Sequence, residues 1–177
     1  CKRGNIDVTI NKKLIESDKT QHPLVRGRNM SNLDIINEYI SDETIKEKHI
    51  DIINQKLVCQ QISNMTSSNR VNFTLLDSNY IISNSCNYIV VTDQKYITAV
   101  NYILNSNVLN RYFKIFSGNN HISINEINNF PFPNIFHSDI SFNGCSQEEI
   151  EIKICKLYNL DDAFINEYFG FNIKLIE

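Results

Sequence analysis

Arg26 and Arg28 flank Gly27, so two guanidinium forks stand two residues apart on a backbone free to turn or to approach a partner closely. Such forks match the oxygens of a phosphate or the O6 and N7 edge of guanine, and they equally suit a pair of surface salt bridges. Asn29 follows directly and joins the candidate contact set. Gln60 and Gln61 lie beside Lys56 in an extended run. Side chains alternate along a strand, so one amide points outward whichever way the run is pleated, and an outward amide can read adenine. Lys114, Ser117, Asn119, Asn120 and His121 crowd the end of an apolar helical stripe. They offer the donors and acceptors that meet phosphates and base edges, and a hydrogen-bonded helix end would use the same residues. Arg70, at the head of another extended run, adds a further cation.

Hydrolytic and cofactor chemistry is more thinly supplied. Asp93-x-Lys95 and Glu151-x-Lys153 have the acid-x-Lys pairing that some metal-dependent nucleases use, but neither has a second acid correctly spaced before it. His121 with Asn125 lacks the second histidine of an H-N-H site. Five scattered cysteines without a C-x-x-C indicate reduced thiols rather than a zinc knuckle or a disulfide framework. Only five glycines occur, with no G-x-G after a strand, and the prolines of Asn129-Phe-Pro-Phe-Pro133 are separated by Phe132. Neither a dinucleotide nor an S-adenosylmethionine loop, nor an Asn-Pro-Pro catalytic turn, can be placed.

The elements that hold these side chains must come from a chain of 177 residues, 42 % hydrophobic with ten Phe and eight Tyr, enough for one full domain. Asn and Ile make up roughly three residues in ten, a bias that lowers the weight of any single Asn. No run reaches the ~18 apolar residues of a membrane span, so a soluble chain of the bacterial cytoplasm is expected. The start at Cys1 without an initiator methionine reads as a cut inside a longer frame. Net charge is -3 but unevenly spread: residues 1–70 hold 11 basic against 9 acidic side chains, 71–130 hold 3 against 3, and 131–177 hold 3 against 8. A local basic face at the front is therefore compatible with an acidic total, and the acidic end could meet a partner or simply water.

Residues 5–10 (NIDVTI) alternate as a half-buried strand does, and Pro23 keeps His22 extended. Residues 31–55 mix loop with one short helix. Short strands follow at 57–63, 70–76, 79–83 and 86–92, separated by Asn, Asp and Ser turns too short for parallel crossovers. After Asp93, apolar residues at 97, 100, 103, 104, 108, 109, 112, 113 and 116 trace a helix, which Asn105-Ser106 kinks or breaks and Gly118 stops. Ser146 with Glu149 is a capping box for a helix at 147–158, and a last helix at 162–169 ends at Gly170. The expected fold is α+β: an antiparallel or mixed sheet of short strands in the N-terminal two thirds, packed with C-terminal helices. A recognition unit at 1–145 and a helical appendage at 146–177, packed on the same domain, are the expected division.

The order and spacing of GNIDVTINKKLI, HPLVRGRNM, KLVCQQIS, SNSCNYIVV, YILNSNVLNRYFKIFSGNNHISINEINNFPFP and IEIKICKLYNL resemble the C-terminal specificity domain of bacterial type II adenine DNA methyltransferases, the TaqI-like specificity domain. The helix-to-proline stretch is most similar to the type IIS restriction-modification branch named after Alw26I, Eco31I and Esp3I. The resemblance implies a non-catalytic target-recognition domain that grips double-stranded DNA. An upstream domain of the same polypeptide would bind S-adenosylmethionine and methylate a flipped-out adenine. It implies no cofactor in this chain, and adds a cognate restriction endonuclease as a candidate partner. Arg26, Gly27 and Arg28 match the family's R-G-R/K motif and Asn119, Asn120 and His121 its N-N-H loop, while Asn29 stands where relatives commonly have Asp. Two readings from other classes compete with it: a protein-docking module using the acidic C-terminal helices, and a nuclease using Asp93 or Glu151.

Overall fold

The computed structural model describes residues 1–135 and 141–171. Its elements are β1 (Lys2–Arg3), β2 (Ile15–Glu16), β3 (His22–Val25), β4 (Tyr39–Ile40), α1 (Asp42–Glu47), β5 (Lys56–Gln60), β6 (Thr74–Leu76), β7 (Ile81–Ile82), β8 (Cys86–Ile89), α2 (Ile97–Leu104), α3 (Asn107–Phe116), α4 (Ile124–Asn128), α5 (Gln147–Leu157) and α6 (Asp162–Phe169). One sheet has the order β1-β8-β5-β6 and is antiparallel throughout. The other, β2-β4-β3-β7, is mixed, because β3 and β7 run parallel. The chain is α+β, with short strands in its first half, interrupted by α1, and the remaining helices after β8.

β5 is the central strand and is buried on both faces. Leu57 and Cys59 point into a core shared with Leu109 and Phe113 of α3 and Ile150 and Ile154 of α5, whereas Val58 meets Val25, Ile82 and Tyr88 between the sheets. Each such aliphatic or aromatic side chain contributes roughly 1.5–3 kcal/mol by leaving water. A third cluster, Ile6, Leu24, Ile40, Ile45 and Ile81, fills the space between the second sheet and α1. α6 closes on α5 through Ile165 and Cys155. Among the described residues no helix is long and apolar enough to cross a membrane.

Local chemistry decided most helix ends. The expected break at Asn105-Ser106 separates α2 from α3. Asn105 keeps its N–H bond to the Asn101 carbonyl (3.1 Å) and turns its side chain to Phe73, donating to that carbonyl (2.8 Å) and accepting from that N–H (2.7 Å). Ser106 then caps α3 by accepting from Leu109 N–H at 3.3 Å. Gly170 ends α6 in the left-handed region at φ 68°, where it lacks the Cβ penalty. Residues 5–10 differ from expectation. Asp7 accepts N–H bonds from Thr9 (2.9 Å) and Ile10 (3.2 Å), and this turn overrides the alternating pattern, leaving Ile6 as an isolated bridge to Ser83.

Glu151 of α5 reaches across to the start of α3, where its carboxylate accepts the Asn107 N–H at 3.0 Å. Burial pushes its carboxyl above the usual range, with the Asn107 bond opposing. A raised folded-state pKa means that the stabilising share is complete below the unfolded pKa and is lost as pH rises through the folded one. Glu151→Gln keeps an acceptor for Asn107 and removes the buried charge. It is therefore expected to equal or exceed wild type in urea stability at neutral pH, and to lose that advantage in acid. A neutral-pH midpoint well below wild type would refute this.

Candidate nucleic-acid interface

One end of the β1-β8-β5 sheet collects the polar side chains. There Gln60 pairs with Cys86, Cys59 with Asn87, and Asn87 with Arg3. The 26–28 segment arrives from the second sheet, directly after β3. Its Gly27 N–H donates to Ser85 Oγ at 3.0 Å, and a Cβ on Gly27 would stand 3.2 Å from the Ser85 carbonyl oxygen and 3.5 Å from Gln60 Cβ. The close approach made by this glycine is thus internal, seating the Arg26 to Arg28 turn on the end of β5. Arg26 and Arg28 converge on one carboxylate, that of Glu38, at 2.7 and 3.1 Å. Two cations share one anion, so a positive charge remains. Arg28 holds it outward, with 60 % of its side chain exposed against 20 % for Arg26. The Arg26 Nε contact is an ion pair without hydrogen-bond alignment.

The second loop, residues 117–121, is held from beneath by Arg70. Its guanidinium donates to the carbonyls of Ser117 (3.0 Å) and Asn119 and to Ser63 Oγ (3.4 Å), and lies 4.8 Å over the Phe113 ring. Asn119 Oδ1 accepts the His121 N–H at 2.8 Å, fixing the turn. Ser63 N–H donates to the Asn120 carbonyl (2.9 Å) and Ile122 N–H to that of Gln61 (2.6 Å), so His121 pairs opposite Ile62. A buried amide ladder completes the join, with Gln61 Nε2 donating to Asn87 Oδ1 (3.0 Å) and Asn87 Nδ2 to the Ile122 carbonyl (2.8 Å). What faces water is the Asn119, Asn120 and His121 side chains, with Lys114 on the last turn of α3. A groove of about 600 Å³ lies beside the second loop, lined by Ile62, Asn64, Met65, Gly118, Asn119 and Asn120.

The structure therefore sorts the sequence candidates. Asn29, Lys56, Gln61, Arg70 and Ser117 are only 2 to 7 % exposed. Their polar groups have internal partners, with Asn29 Oδ1 accepting the Arg26 N–H at 2.9 Å. Lys56 lies at the opposite end of β5 and donates to the carbonyls of Asn54 (3.2 Å) and Ser78 (2.8 Å); burial holds its ammonium below the usual lysine range, with Asp51 opposing. Of the two glutamines, Gln60 is the one left half-buried, its amide free of hydrogen bonds among the described residues. Arg28, Gln60, Lys114, Asn119, Asn120 and His121 remain able to touch a partner. Sequence reasoning missed Arg3, which pairing of β1 with β8 brings to the same edge, and it missed α4, although Ser123 and Glu126 form a capping box there.

The acids of the nuclease reading are engaged elsewhere. Asp93 accepts the Lys95 N–H (3.3 Å) and pairs with its ammonium (3.0 Å), while Glu151 is buried against α3. Among the described residues no group of three or more His, Cys, Asp or Glu side chains could hold a metal ion. Residues 22–132, well over half of the chain and including both loops, match the family model of the TaqI-like C-terminal specificity domain. No curated protein matches the chain.

Proposed function

From the premise that this chain belongs to the TaqI-like C-terminal specificity domain family, we propose that it is the DNA-reading part of a site-specific adenine-N6 methyltransferase of a type II restriction-modification system. The Alw26I, Eco31I and Esp3I branch is the type IIS relative the reading favours. One observation carries it: two segments separated by some ninety residues of chain are seated at one sheet end, 26–28 on Ser85 and 121–122 on Gln61 and Ile62, and leave Arg28, Gln60, Asn119, Asn120 and His121 at least partly exposed. Arg28 suits guanine or phosphate, Gln60, Asn119 and Asn120 suit base edges, and Lys114 suits phosphate. Asn29, Gln61, Arg70 and Ser117 act beneath them by holding the loops in position. The upstream domain of the same polypeptide would bind S-adenosylmethionine and carry out the transfer.

Modified-base sequencing of DNA from cells expressing the full methyltransferase, beside a version whose segment 1–177 comes from a relative, tests the proposal. Methylated adenine in one sequence context that changes with the exchange is the expected result. A context indifferent to the exchange would move recognition elsewhere and make this chain a docking module. Within the domain, Arg28→Ala is expected to weaken binding of the cognate duplex by about 1 to 3 kcal/mol and to relax the preference at one guanine. Unchanged affinity and preference would remove Arg28 from the interface.

A further inference from the structure

A second, smaller cavity of about 270 Å³ opens at the same sheet end, lined among others by Arg3, Gln61, Asn87, His121, Ser123 and Asn125. We propose that it is a phosphate site, in which Arg3 and His121 clamp one phosphodiester of the DNA backbone. The inference rests on the DNA-reading function and adds an anchor at a distance from the Arg28 turn.

Four features of the cavity point to an anion. Arg3 donates through Nε to the Asn84 carbonyl at 2.9 Å, which pins the guanidinium plane and leaves its terminal nitrogens available for a bidentate contact. The His121 backbone is held by Asn119 and by the bridge to Ile62, while its ring has no hydrogen-bond partner among the described residues. The floor is rigid, because the Gln61 and Asn87 amides are bonded to one another and to the Ile122 carbonyl. No carboxylate lines the cavity. Asp7, whose carboxyl is lowered in part by the Arg3 charge, is itself occupied by the Thr9 and Ile10 N–H groups. No Phe, Tyr or Trp lines the walls, so the imidazole of His121 is the one ring there that a nucleobase could stack on. The Asn125 amide at the mouth suits a non-bridging oxygen of a phosphodiester, while Ser123 is turned to Glu126, whose carboxylate accepts its N–H (2.8 Å) and its hydroxyl (2.7 Å).

Counterion release makes the assignment countable. Each neutralised phosphate contributes about 0.9 to the slope of log K against log salt on duplex DNA. The test titrates a fluorescein-labelled random-sequence duplex with the chain by anisotropy across a salt series. Wild type, Arg3→Ala, Arg3→Lys and His121→Ala are compared, with circular dichroism confirming that each is folded. Arg3→Ala is expected to lower the slope by about 1 unit and to weaken low-salt binding by roughly tenfold, with Arg3→Lys keeping most of the slope. An unchanged slope in Arg3→Ala, with wild type binding normally, overturns the phosphate site and leaves the DNA-reading function intact. Failure of the wild-type chain to bind any duplex would instead overturn that function. The imidazole NMR signals of His121 separate the two sources of phosphate. They should shift on adding duplex and stay in place with inorganic phosphate at matched ionic strength, and the reverse pattern would assign the cavity to a free anion.

Discussion

Arg70→Ala is expected to destabilise the chain by about 3 kcal/mol, since a buried charged donor serving several acceptors is lost and its carbonyl partners stay buried. Arg70 is 3 % exposed and joins three segments: its own strand approach, Ser63, and the 117–119 carbonyls. Its removal leaves the Ser117 carbonyl without this donor and empties the space above the Phe113 ring. Arg70→Lys should recover less than half of the loss, because one ammonium cannot span two carbonyls and a ring as the planar fork does. The measurement is a pair of urea titrations read at unchanged m-value. DNA binding, taken at a temperature where the variant is still folded, should fall by roughly tenfold or more, because a loosened 117–121 loop must be ordered on binding. A midpoint shift equivalent to less than about 0.5 kcal/mol would show that the loop is held by other means.

Gly4→Ala is expected to be comparably damaging, by about 2 to 3 kcal/mol, through overpacking against a backbone that cannot rotate away. A Cβ there would stand 2.0 Å from the Ser83 carbonyl oxygen and 2.6 Å from that of Ile82. To relieve the clash the chain must lift, weakening the bonds from Gly4 N–H to the Cys86 carbonyl (3.0 Å) and from Ile6 N–H to that of Ile82 (3.3 Å). β1 would then drift from β8, carrying Arg3 off its Asn84 anchor. Stability and duplex affinity should therefore fall together in Gly4→Ala. In Arg3→Ala affinity should fall while the thermal midpoint stays near wild type. A fully stable Gly4→Ala chain would mean that the 1–6 segment is free to take another path.

Several structural decisions that depend on neighbours a few residues away were legible in the amino-acid sequence, although the Asp7 turn and the Ser123-Glu126 box of α4, equally local, were not read from it. Ser146 and Glu149 satisfy each other's backbone within one turn, Gly170 supplies the left-handed end of α6, and Asn105-Ser106 divides α2 from α3. β5 and β8 were equally legible, because apolar β-branched runs between turn residues need little context.

Only the tertiary structure decided which of those polar groups are free. Gln60 and Gln61 are neighbours in sequence with the same side chain, yet Gln61 is consumed by Asn87 because β8 lies beside it, and Gln60 is not. Arg70 and Lys56 read as surface cations, and each proved to be buried by carbonyls that arrive from elsewhere in the chain: Ser117 and Asn119 for the one, Ser78 for the other. Two-residue strands such as β1 and β4 carry no pattern of their own, so their existence, and with it the placing of Arg3, depends on a partner strand distant in sequence. A side chain's donors are fixed by its covalent structure, but whether they are spent depends on which backbone carbonyls the fold brings within 3 Å, and that is a long-range property.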